Sequence, residues 1–188
     1  MRRRSLAIAA STLLAGSGFA LLGGQVYLKA KGTLAAVLIE RAWSAHLADG
    51  RIHPPWPWAD MRPVARLEVP RLGVRRVVLS GASGESLAFG LAHVSGTALP
   101  GAPGNSAIAG HRDSWASFMR HLRPGDEVWL RTRSGRRRYT VSAFEVVGRE
   151  RVDLLDTAGD DRLTLIPCYP FSGLLRSPWR LVITCRPL

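Results

Sequence analysis

Three consecutive arginines, Arg2, Arg3 and Arg4, stand before 24 uncharged residues, positions 5–28. A helix of that length is about 36 Å long, enough to cross the hydrocarbon core of a bilayer. The arginines and the amino terminus favour the cytoplasmic side for the near end. Lys29 and Lys31 follow and weaken the asymmetry without reversing it. A cleaved signal peptide is the competing reading, but its apolar region is typically about 7–15 residues. The long run and the lack of a clear small-x-small site followed by polar sequence favour an uncleaved anchor over residues 1–31. Either reading puts the rest of the chain outside the cytoplasm.

The remainder, about 150 residues, can bury a core without metals or disulfides. An apolar fraction of 46% argues against disorder. The net charge is +12, from 26 basic and 14 acidic residues. Residues 1–31 hold five of the basic residues and no acidic one, which leaves +7 for the rest. Few of the basic residues are lysine, so a solvated, arginine-rich surface is the plainest explanation. Apposition to an anionic membrane comes second. Nucleic acid comes last, because no recognition motif appears and the anchor removes the domain from the cytoplasm. The two cysteines, Cys168 and Cys185, are too few for a structural zinc site and lack CxxC spacing. A disulfide between them would disable either as a nucleophile.

Residues 33–46 read as a helix continuing from the membrane, with Leu34, Val37, Leu38 and Arg41 three or four apart and Trp43 near the interface. Residues 51–58, with three prolines, forbid helix and central strand and form a linker whose tryptophans meet the domain surface or lipid headgroups. Residues 32–62 thus make a stalk and linker, and 63–188 the main domain. Alternation over 64–69 and a run over 74–79 predict a hairpin around Gly73. Residues 85–89 form a helical turn, and the Gly- and Pro-rich stretch 92–104 a long loop. A short buried strand covers 106–109. Ser114 is placed to cap a helix through Trp115, Phe118, Met119 and Leu122. Strands follow at 127–133 and 137–147, a brief helix at 153–157, a buried strand at 163–166 and a last strand at 180–184. Seven or eight short strands with little helix between them predict an all-β, closed or nearly closed barrel.

A buried cysteine is usually a small core hydrophobe. Cys185, three residues from the end on the closing strand, suits that description. Cys168 instead ends an apolar strand and opens onto Tyr169-Pro-Phe-Ser-Gly, which holds the sulfur rigid yet accessible. His111 stands at a similar strand end, after Ala107-Ile-Ala-Gly110, where Gly110 permits close backbone approach. His93 lies in a loop that reaches toward the same place. His46 sits on the stalk, and His121 near a helix end where it meets local carbonyls.

The segment Asn105-Ser-Ala-Ile-Ala-Gly-His111-Arg resembles the catalytic-histidine segment of the sortases. Leu163-Thr-Leu-Ile-Pro-Cys168 resembles their Thr-Leu-x-Thr-Cys motif, and Ser177-Pro-Trp-Arg180-Leu-Val the strand that carries their arginine. The order His, Cys, Arg agrees, and the resemblance runs from about residue 64 to 185. The tryptophan after the histidine and Tyr-Pro-Phe after the cysteine are most similar to the proteobacterial group called class GN. Pro167 departs from the family's threonine, removing a backbone donor and a hydroxyl that could position the peptide.

The resemblance implies a sortase-like barrel of about eight strands behind a transmembrane helix, in the inner membrane with the catalytic domain on the periplasmic side. It implies a cysteine transpeptidase acting on secreted proteins that carry a C-terminal Leu-Pro-x-Thr-Gly-like signal. Cys168 is the nucleophile, His111 the proton carrier and Arg180 the oxyanion partner. An amine acceptor resolves the thioacyl intermediate, and no cofactor is required. Some relatives bind calcium, but no matching carboxylate cluster stands here. The peptide groove is expected between residues 92–104 and the segment after Cys168. Two rivals remain: a non-catalytic periplasmic β-barrel binding a partner through its basic face, which expects Cys168 buried far from His111, and a simple cysteine peptidase using water. A papain-like fold fits poorly, because it expects its cysteine early, at a helix start.

Overall fold

The computed structural model describes residues 2–156, 160–172 and 177–188; side chains at 2–13, 15, 20 and 21 lie outside the described set. The chain divides into two compact units, residues 1–37 and 38–188. Helix α1, Arg2–Asp49, begins in the first and ends in the second. Among the described residues no helix is long and apolar enough to cross a membrane. Half of the uncharged run 5–28 has its side chains outside that set.

The second unit is a closed barrel of eight strands. They are β1 Pro63–Val69, β2 Val74–Leu79, β3 Leu91–His93, β4 Asn105–Gly110, β5 Glu127–Thr132, β6 Gly135–Gly148, β7 Arg162–Pro167 and β8 Trp179–Pro187. The order around the barrel is β1-β2-β3-β4-β7-β8-β6-β5, with β5 closing onto β1. Alternation in the sequence becomes alternation in burial: Ala65, Leu67 and Val69 of β1 are fully buried while the residues between them are partly exposed. They meet Leu130, Leu163, Leu165 and Ile183 in the barrel interior. The β1–β2 hairpin forms around a 3₁₀ turn at Pro70–Leu72, closed by Gly73 at φ 62°. That left-handed backbone favours glycine. Arg71 in this turn donates to Asp126 at 2.6 Å and to the His121 carbonyl, tying two loops at one end of the barrel. Its guanidinium holds the Asp126 carboxyl below the ordinary carboxylate range.

Four expectations change. Residues 91–93, inside the stretch read as loop from Ala92, form β3, parallel to β2 and antiparallel to β4. Ser114 caps no helix: the His111 carbonyl accepts from both Ser114 and Ala116 N–H groups, which winds 111–116 into a tight turn. Only a 3₁₀ turn, Ser117–His121, follows, without a side-chain cap. The brief helix near 153 is likewise a 3₁₀ turn, Val152–Leu155, and Thr157 lies outside the described residues.

The stalk face also differs. Leu34 and Val37 are 59% and 48% exposed. Ile39 and Trp43, four apart on the helix, are buried against Met61, Val77 and Leu79. Trp43 is thus a buried anchor on the barrel, not an interfacial aromatic. Of the linker tryptophans, Trp56 packs edge-on against Phe89 at 5.2 Å, while Trp58 is exposed.

Candidate active site

Strands β4 and β7 run parallel with unbroken register, from Asn105 opposite Arg162 to Gly110 opposite Pro167. His111 and Cys168 are the next residue on each. Strands β7 and β8 run antiparallel, with Leu163 opposite Cys185 and Leu165 opposite Ile183. The same register carried on places Cys168 opposite Arg180, and the two form a bridge there. Adjacent strands lie about 4.8 Å apart. Cys168 and Arg180 therefore stand side by side at one end of the barrel, and His111 follows the end of the next strand, which completes the row.

The pleat fixes the side of the sheet. Leu163 and Leu165 belong to the interior. Side chains alternate along a strand, so Cys168 projects outward with Thr164 and Ile166. Arg180 alternates in the same way with Leu181, which faces the interior core. Cys168 and Arg180 are each half-buried and His111 is exposed. Gly110 lets the turn after His111 pack closely on the strand end: a Cβ there would stand 2.7 Å from Leu91 Cδ2 and 2.8 Å from Ala116 Cβ. Arg180 Nη1 donates to the Ser177 and Trp179 carbonyls at 3.1 and 2.9 Å. Among the described residues no carboxylate pairs with it. Its charge is available to an anion forming beside the sulfur.

Both cysteines are free thiols. Cys185 is fully buried, and burial pushes its thiol up to about 12. Its partner Leu163 lies five residues before Cys168 on β7, about 17 Å along the strand. A disulfide cannot bridge that distance.

His93 does not join the row. It is buried, with Nε2 2.9 Å from the Ala98 carbonyl and 3.1 Å from the Thr97 hydroxyl, so it closes its own loop. His46 reaches the Arg51 carbonyl after the helix end, and His53 pairs with Asp49.

Two features escape the sequence. Arg112, 7% exposed, donates from Nη1 to the Pro170 carbonyl at 2.6 Å, tying the segment after His111 to the segment after Cys168. Only its place beside a histidine could have drawn notice. The second is the turn around residues 152–156. Asn105 donates to the Leu154 and Asp156 carbonyls and accepts from Thr164 at 2.7 Å. Thr164 shares the outward face of Cys168, so this turn covers that face at the far end of the strand, about 13 Å from Cys168.

Pro167 is buried and alternates with Cys168, on the opposite side of the sheet. A threonine hydroxyl at this position would point into the barrel, away from the face that carries Cys168. Pro167→Thr is therefore expected to change kcat/KM for a reaction at Cys168 by less than about threefold, within ~0.7 kcal/mol. Steady-state kinetics check this; a tenfold change would show that position 167 acts on the substrate.

A family model of the sortase domain matches residues 67–188. The chain is 25% identical over 118 residues to sortase D of Bacillus subtilis, covering 62% of this chain and 60% of that protein. It is 28% identical over 109 residues to sortase A of Bacillus anthracis, covering 56% and 51%. The chain thus spans about half to three-fifths of the curated relatives it matches. Sortase A from Corynebacterium diphtheriae superposes with a TM-score of 0.62 at 25% identity, over 70% of this chain and 63% of that one. A sortase D5 transpeptidase of Clostridium perfringens superposes at 0.66 and 19% identity, over 83% and 99%, a likeness of fold. The domain match, the relatives and the barrel agree, and the chain belongs to the sortase family.

Proposed function

We propose that this chain is a membrane-anchored cysteine transpeptidase that cuts secreted proteins at a C-terminal Leu-Pro-x-Thr-Gly-like signal and transfers them to an amine. The observation that carries the reading is the row His111, Cys168 and Arg180 across β4, β7 and β8. In the first step the Cys168 sulfur attacks the scissile carbonyl carbon, and a C–S bond forms. Arg180 faces the oxyanion and stabilises it. As the C–N bond breaks, His111 protonates the leaving amine, which leaves a thioacyl enzyme. An incoming amine then gives its proton to His111, attacks the thioester and restores the thiolate. Positive charge on Arg180 and protonated His111 favours thiolate over thiol.

The anchor reading draws on the helix itself. Leu14, Phe19, Leu22, Val26 and Leu28 each expose 60% or more of their surface. Large apolar groups in that number fit a lipid environment. In this reading residues 1–31 hold the enzyme in the inner membrane, residues 32–62 form its stalk and linker, and residues 63–188 work on the periplasmic side. Sharing a membrane with its substrate raises effective concentration. The tryptophan after His111 and Tyr-Pro-Phe after Cys168 support class GN.

The test is to incubate the full chain, in a non-ionic detergent, with sorting-type peptides and a glycine amine. Mass spectrometry is expected to show an acyl adduct on Cys168 and an amide product. A folded protein that forms no adduct with any such peptide would overturn the reading.

A further inference from the structure

Outside the active-site row, one concavity of about 430 Å³ is lined by Arg131, Arg133 and Arg136, with Thr132, Gly135, Leu47 and a single carboxylate, Glu68. It lies where β5, β6 and β1 meet the end of α1, on a different wall of the barrel from Cys168. The strand register crowds like charges there. Arg131 stands opposite Arg136 on one side and opposite Arg66 on the other. Like charges directly opposite are destabilising. Arg66 is neutralised by Glu40. Arg131, Arg133 and Arg136 have no carboxylate partner among the described residues.

Two of these guanidiniums are held in place. Arg136 stacks over Trp129 at 4.3 Å. Arg133 packs on Gly50, just after the end of α1, where a Cβ would lie 2.5 Å from its Cζ. Helix C-termini carry partial negative charge, which favours a cation there. Three forks set around one hollow, against one carboxylate, match the oxygens of a phosphoryl group.

We propose that this hollow binds a phosphoryl group, from free phosphate or a lipid headgroup. Occupancy relieves the repulsion between Arg131 and Arg136 and stabilises the folded barrel. The test follows thermal unfolding of the full chain in detergent, with phosphate titrated against chloride at constant ionic strength. Saturating phosphate is expected to raise Tm by about 3 °C over chloride. In Arg131→Gln/Arg136→Gln the phosphate-dependent rise should fall below half, while Tm in low-salt chloride should hold or increase. Glu68→Gln, which keeps all three arginines, should enlarge the rise. In phosphatidylglycerol nanodiscs the phosphate effect disappears if the headgroup fills the hollow; there, and in phosphatidylcholine, it persists if free phosphate is the ligand. No rise in the wild type, or an equal rise in the double variant, would overturn the proposal.

Discussion

Alanine in place of Cys168 is expected to bring peptide cleavage and transfer to background, a loss on the order of 10⁶-fold in kcat, as for deletion of the nucleophile in other covalent peptidases. The loss is this large because no second thiol can substitute. Cys185 is fully buried and its thiol is pushed up to about 12 by that burial, so it holds almost no thiolate at neutral pH. Cys185→Ala should therefore keep the acyl adduct. Arg180→Ala should cost less, about 10²–10³, because it removes one stabilising group and leaves the nucleophile. The measurement is product formation with peptide and amine, together with intact mass of the enzyme. A Cys168→Ala protein within tenfold of wild type, or an adduct mapped to Cys185, would remove Cys168 from its proposed role.

The strands and the place of Cys168 at a strand end were legible for one reason. Burial on alternate sides forces alternation in sequence, so β1 could be read from Ala65, Leu67 and Val69, and Cys168 from its place just beyond an apolar run. Pairing between strands is another matter. Nothing along β4 states that its parallel neighbour is β7, more than 50 residues later, yet that register is what brings His111 to Cys168. The family resemblance supplied the neighbourhood that local pattern could not. Shorter signals failed for local causes. Strand β3 has three residues before a stretch rich in Gly and Pro, too few to show a period. Ser114 had the right type for a cap, but the His111 carbonyl captured the donors first. Arg112 was given no role of its own, since no local pattern announces a buried arginine whose partner, the Pro170 carbonyl, lies 58 residues away. The phase of α1 was misread because its apolar residues surround the helix, so that spacing alone did not single out the face of Ile39 and Trp43.

That face yields the largest stability effect we expect. Trp43 is fully buried, in a cluster with Ile39, Met61, Val77 and Leu79, where α1 meets the barrel. Truncation to alanine removes its indole from all of them, and the backbone there can close the space only in part. Losses for Trp→Ala at buried sites run to about 3–5 kcal/mol. For a chain of this size Tm should fall by roughly 6–20 °C. Trp43→Phe separates packing from polarity. The indole Nε1 is buried without a partner among the described residues, and an unsatisfied buried donor costs about 1–3 kcal/mol. Phenylalanine keeps most of the apolar contact and removes that cost, so its Tm should lie within about 4 °C of wild type. Thermal unfolding by circular dichroism checks both variants. If Trp43→Ala and Trp43→Phe fell together by the same large amount, the indole's polar edge would be a stabilising contact, and packing alone would not explain how this helix is held.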